Sequence, residues 1–265
     1  MGAHQKLDRL ARARLSRLLL EDDAVFPGIR PILHFEGANG PDAIKRKSPA
    51  RDEPWHYYAP LDSADTRLPE SIGRHYARLV CSLETGDSVR AAFEAAWLAH
   101  AVIDGLTPAH HFPYEAALTE LRGGEGILTR TSVRTKLVLP GETRREQLIN
   151  NWKMWGPHGL MATHGFFEIG IATLITPLTV RSIPLTVRDL GELCEYGAVG
   201  LFVRTAKEID GLGMYDRYYA QGWTPRLARQ VRTHLVPAMV KTVVLSWYGA
   251  AVEAGVVLNK REVHA

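Results

Sequence analysis

Cysteine is nearly absent from this chain of 265 residues. Cys81 and Cys194 are the only two. They cannot build a disulfide framework, no Cys-x-x-Cys pair occurs, and they suit a reduced cytosol, with one isolated bridge as the alternative. An excess of one charge is missing as well. Lys+Arg 32 against Asp+Glu 29 leaves only +3, which rules out a strongly basic nucleic-acid arm and an acidic disordered tail. Long apolar runs are scarce. The weakly polar stretch near Ile169–Val180 contains Thr and Pro and is too short to span a bilayer. The start, MGAHQKLDRLARARLSRLLLEDD, carries charge throughout, with neither an apolar h-region nor a cleavage site. A soluble, cytoplasmic protein is the expectation. Several catalytic signatures are missing too: no HExxH, GxxxxGK[ST] or GxSxG occurs. The sole Glu-x-x-His, Glu53 to His56, lies in a Pro-containing loop, which argues against a di-iron bundle.

What remains is ordinary globular composition, 46% hydrophobic and 23% charged, organised mainly at helical spacing. Leu7, Leu10, Leu15 and Leu18 form one stripe, with Arg9, Arg12 and Arg17 on other faces. This is a surface helix packed on a core or a basic helix touching an anionic membrane. A long irregular stretch is expected from Pro27 to Pro69. Helices are expected over 69–85 and 88–106, the second capped near Asp87 and stopped before Pro108. Others are expected over 113–122, 142–155, 157–176, 187–210 and 224–256. Residues 123–140 are the only β-like stretch, with Arg130, Arg134 and Lys136 alternating as in a small hairpin. The fold class expected is all-α, a single domain over 1–265.

Histidine is the unusual component, eleven in all. His100 and Asp104 are four apart on an expected helix and so project from one face. Pro108 ends that helix, and His110 follows where it can turn back to the same point. Imidazole and carboxylate are natural zinc ligands where thiolates are lacking. His164 and Glu168 repeat the four-residue spacing in an apolar segment, where polar groups are costly unless satisfied. Asp42 and His56 lie in the loop Gly40–Pro60, held between prolines and Trp55. Each piece also has a plain reading: a buried His–Asp pair, a satisfied core histidine, a turn aspartate.

Taken together the pieces resemble the zinc-dependent phospholipase C and S1–P1 nuclease superfamily. The resemblance rests on HxxxDxxxPxH at His100, Asp104, Pro108 and His110, preceded by Asp42 and His56 and followed by Hxxx[DE] at His164 and Glu168. The run His56-Tyr-Tyr-Ala-Pro is similar to one in the bacterial phospholipases C. These motifs span residues 42–168. The resemblance implies an all-α fold with two or three zinc ions in a cleft. Asp42, His56, His100 and Asp104 would hold one ion, and His110, His164 and Glu168 a second, with Asp104 bridging. A third site would use a histidine near the N-terminus, His4 or its competitor His34. The family's N-terminal Trp has no counterpart here, and the segment between His110 and His164 is longer than the family norm.

The activity implied is hydrolysis of a phosphodiester, in a phospholipid head group or another small phosphoester, by metal-activated water. Asp42, Asp104 and Glu168 would be the catalytic carboxylates. Trp55, Tyr57 and Tyr58 would bind substrate, or else only pack the loop. Peripheral membrane contact fits this picture, and a nucleic-acid substrate is less favoured. The alternatives are a single-strand nuclease or 3′-nucleotidase of the same superfamily, and a non-catalytic helical binding protein stapled by zinc. His111 could exchange roles with His110, and His158 could line the cleft. His75, His234 and His264 are expected to have no metal role.

Overall fold

The structure is a computed structural model that describes residues 2–19, 25–179 and 183–256. Thirteen α-helices are found among the described residues, and no strand. The expected all-α class is therefore observed.

The centre is built by α5 (Ser88–Leu106), capped by the Asp87 carboxylate, which accepts from the Arg90 amide. Its alanines and Leu98, Val102 and Leu106 are buried on nearly every side. Such a helix must be surrounded. It pairs with α4 (Arg67–Glu84) and is flanked by α1 (Ala3–Leu19), α2 (Ile29–Glu36), α10 (Val187–Asp210) and α13 (Val236–Glu253). Trp247 of α13 is fully buried and donates its indole N–H to the Ala95 carbonyl at 3.0 Å. Gly105 brings α5 against α10, since a Cβ there would sit 2.4 Å from the Phe202 ring.

Helix α1 packs its leucine stripe on the core, as expected of a surface helix. Leu7, Ala11, Leu15 and Leu19 face the core, and Arg12 turns inward to donate to the Pro27 carbonyl at 2.7 Å. The helix is packed by α13, α2, α9 and α5, while Arg9 and Arg17 stay exposed. Lys6 clamps its N-terminal end to the last turn of α9 (Leu160–Ile175), through the Ala172 carbonyl at 2.9 Å and the Thr176 hydroxyl at 2.8 Å. A cation at a helix C-terminus is favourably placed.

Several expectations need correction. The stretch from Pro27 to Pro69 is partly helical: α2 lies within it, as do α3 (Pro41–Lys47) and a 3₁₀ turn at Ala50–Asp52. Gly40 permits the reversal between α2 and α3, where a Cβ would collide with the Glu36 carbonyl at 2.2 Å. The hairpin over 123–140 does not exist. After α6 (Tyr114–Leu121), Gly123 and Gly124 turn the chain with positive φ, and a 3₁₀ turn at Ile127–Thr129 follows. Ser132 and Thr135 then form a capping box that starts α7 (Val133–Leu137). Arg130 bonds Glu115, and Lys136 bonds Glu53 and the Lys45 carbonyl, so they anchor this segment rather than alternate across a ladder.

Helix α8 (Arg144–Trp155) leads into α9. The region expected as one helix from 224 to 256 divides into α12 (Pro225–Gln230), a π-helical turn at Val231–Leu235 and α13. A short α11 (Met214–Gln221) precedes it. Among the described residues Pro225–Glu253, and not Ile169–Val180, is the one helical stretch long and apolar enough to cross a membrane, and 72% of its apolar window is buried inside the protein. It is a core helix by its packing.

Candidate metal centre

Four elements deliver the expected residues to one point. α1 supplies His4, the segment after α3 supplies His56, α5 supplies His100 and Asp104, and the 3₁₀ turn Pro108–His111 supplies His110. Asp104 is the hub. Its Oδ2 lies 2.5 Å from His56 Nδ1 and 3.0 Å from His100 Nε2. Its Oδ1 lies 3.2 Å from His4 Nε2 and 3.7 Å from His110 Nδ1. Only 3% of this carboxylate side chain is exposed. Burial alone would raise its pKa, but the four surrounding imidazoles hold it well below the usual carboxylate range.

Beside this hub a second group forms. Glu168 Oε1 lies 2.9 Å from His110 Nε2 and 3.1 Å from His164 Nε2. The spacing that placed His164 and Glu168 on one face holds, both being on α9. Three sets of ligand atoms each lie within 4.8 Å of one another: Asp42, His56 and His100; His110, His164 and Glu168; and His4, Glu36 and His100. All of them line one cleft of about 1280 Å³ except His100, which is buried behind it.

Glu36 and Asp8 were missed by the motif search. Glu36, at the end of α2, faces His100 Nδ1 at 3.1 Å from both oxygens. That contact leaves His100 Nε2 directed at Asp104 and His56, the usual role of a carboxylate behind a metal-binding imidazole. His110 is oriented likewise, its Nδ1 lying 2.7 Å from the His56 carbonyl. Asp8 is fully buried, and neither carboxylate oxygen has a hydrogen-bond partner. Its pKa is raised by burial and by the neighbouring Glu36. Asp8 stands four residues after His4, the same spacing as His100–Asp104, which was a signal available in the sequence. Glu36 had no such signal.

Protonation follows the charges. Burial and the nearby His100 oppose a proton on His4, yet Asp104 and Glu36 prevail and push it up to about 9. For His100 the same carboxylates overcome burial and raise its pKa. His56 goes the other way, lowered to about 4 by burial and by the Lys45 ammonium. Glu168 is held low despite its burial by hydrogen bonds from His110 and His164.

Other expected residues fall elsewhere. His34 is exposed and bonded to Asn39 at 3.2 Å, so of the two competing histidines it is His4 that reaches Asp104. His111 is engaged by Asp210 and the Gly105 carbonyl, and does not replace His110. His158 is exposed and lies off the cleft wall. His75 pairs with Glu94 and His234 with Thr233. His264 lies outside the described residues. Trp55 and Tyr57 line the cleft, but Tyr58 does not. It is 4% exposed and packs on Phe202, because successive residues of an extended segment point to opposite sides.

No family model matches the chain, and no curated protein or solved structure matches it.

Proposed function

We propose that this protein is a zinc-dependent hydrolase of phosphate esters, with the phospholipase C and P1 nuclease fold that its motifs resemble. The observation that carries the reading is a buried carboxylate, Asp104, shared by four imidazoles at the wall of a large cleft. The donor set suits zinc, being imidazole and carboxylate without thiolate. Buried atoms without a partner support it further: His4 Nδ1, His56 Nε2 and both oxygens of Asp8. Asp42, His56, His100 and Asp104 would hold one ion, and His110, His164 and Glu168 another. A third would use His4 and Asp104, with Asp8 in place of the family's N-terminal residue and Glu36 holding His100 from behind. Zinc bound there supplies an acidified water and charge neutralisation at the phosphate.

The chain's own residues do the rest. Lys45 has no carboxylate partner among the described residues and lies close enough to lower the pKa of both His56 and His164. Its ammonium, 5.4 Å from the centre of the Tyr57 ring, would hold a non-bridging phosphate oxygen. Asp42 and Glu168 are the proton acceptors for attacking water. Glu168 keeps 40% of its side chain exposed. Leu118, Met154 and Met161 give the cleft an apolar wall, which fits a substrate with an organic or acyl group beyond its phosphate. A nucleotide has less support. Trp55 is covered by the Arg67 guanidinium at 3.4 Å, and Tyr57 already stacks on Tyr114 at 5.1 Å. The exposed, unpaired Cys81 and Cys194 suit a reducing cytoplasm.

Metal analysis of the purified protein combined with hydrolysis of a chromogenic phosphodiester tests the proposal. Two or more zinc ions per chain and metal-dependent turnover are expected. Less than one ion after mild dialysis, or no turnover with zinc supplied, overturns it.

A further inference from the structure

Helix α8 is inside out. At 100° per residue, Leu148, Trp152 and Trp155 fall on one stripe, with Ile149 beside it. A helix normally turns such a stripe to the core. Here it faces solvent: Leu148 is 73%, Trp152 69%, Trp155 43% and Ile149 45% exposed. Met154 is the one fully buried residue, and the inward contacts are largely polar. Asn150 donates to the Pro140 carbonyl at 2.9 Å, and Asn151 holds both the amide and the carbonyl of Leu139 at 3.0 Å. Exposed apolar side chains arranged in this way contribute little to folding, so their role lies in contact with something else.

The stripe is continuous with the cleft. Trp155 lines it and donates its indole N–H to the Leu137 carbonyl, and Leu137 lines it too. Leu137 and Val138 add to the exposed apolar surface. Around them stand Arg134, Arg144, Arg145 and Lys153, all exposed and none with an ion-pair partner among the described residues. Tryptophan among arginine and lysine is the composition that settles at a lipid–water boundary with anionic head groups.

We infer that α8 docks the protein onto an anionic lipid bilayer, with the mouth of the cleft facing the membrane. A second copy is a poorer occupant. A twofold contact through α8 would bring the same unpaired cations against themselves. The docking rests on the helix itself; only its use, to present lipid phosphoesters to the cleft, rests on the function proposed above.

Co-sedimentation with phosphatidylcholine vesicles, with and without phosphatidylserine, is the test. Binding is expected to be strong with phosphatidylserine, weak without it, and reduced by salt. The double variant Leu148→Gln/Trp152→Gln, neither residue lining the cleft, is expected to bind at least about tenfold more weakly. Its metal content, circular dichroism and turnover of a soluble phosphodiester are expected to match the parent. Variant binding equal to the parent's overturns the inference, as does a parent that ignores both vesicles. A parent dimer in sedimentation that the variant dissolves, without vesicle binding, assigns the face to a second copy instead. A parent that hydrolyses the soluble diester but ignores vesicles sinks the docking alone; one that binds vesicles without hydrolysis sinks the phosphoesterase alone.

Discussion

The metal-type cluster and α8 break the same rule in opposite directions. Around Asp104 the protein buries charge and imidazole where a helical core should be apolar. On α8 it exposes leucine and tryptophan where a surface should be polar. The first arrangement must be held together against desolvation, so its members are interlocked and removal of one is costly. The second is held by little beyond Met154 and a few asparagine bonds, so its outer residues can be changed with small effect on the fold. Departures from patterning of either sign mark places shaped by something other than stability.

The largest effect expected follows from breaking the hub. Asp104→Asn should lower phosphodiester hydrolysis by at least on the order of a hundred- to a thousandfold, with loss of bound metal, as measured by steady-state kinetics and metal analysis. Near-native turnover would remove Asp104 from the mechanism. Glu36→Gln sharpens the contrast, since Glu36 acts through His100. It should weaken metal binding by about 10–100-fold, while a chelator-stripped sample keeps its helical spectrum. Unchanged affinity would leave Glu36 without its orienting role.

The cluster also predicts opposite pH trends for the two forms. His4 is raised from its ordinary 6.5 to about 9 in the metal-free fold. Its protonation therefore stabilises the metal-free protein fully below about 6.5, and that stability is lost as pH rises through about 9. Metal must displace this proton, so metal affinity should rise over the same window, with proton release visible by calorimetry in buffers of differing ionisation enthalpy. A metal-free melting temperature that does not fall across the window would contradict the assignment. The smallest effect belongs to α8: Leu148→Gln/Trp152→Gln should change stability by no more than about 0.5 kcal/mol. Chemical denaturation would show it, and a loss like that of a core residue would mean the stripe is structural after all.

Much of the centre was legible because helical spacing is short-range information. His100–Asp104, His164–Glu168 and the turn after Pro108 follow from 3.6 residues per turn and one helix stop. Glu36 was not legible, since only the packing of α2 on α5 brings it to His100. Asp8 was half legible: it repeats the spacing from His4, but a buried carboxylate with no partner is not something a sequence announces. The false hairpin shows a limit of a different kind. Alternating Arg130, Arg134 and Lys136 imitate a period of two, whereas the Ser132–Thr135 capping box, three residues apart, decides the local structure. The short α2 and α3 were hidden because seven or eight residues hold too few repeats to reveal a period.

Helix α1 packs most extensively against α13, so two helices far apart in the chain depend on each other. Before α13 packs, the leucines of α1 lack their main partner. The seating of α1 also carries His4 to Asp104, a hundred positions away in the chain. Completion of the core and completion of the cluster are thus coupled through one long-range closure. Removing α13 would leave α1 without its main partner and the seat of His4 beside Asp104 unsupported, so one core contact between helices helps to set the geometry inside the cleft.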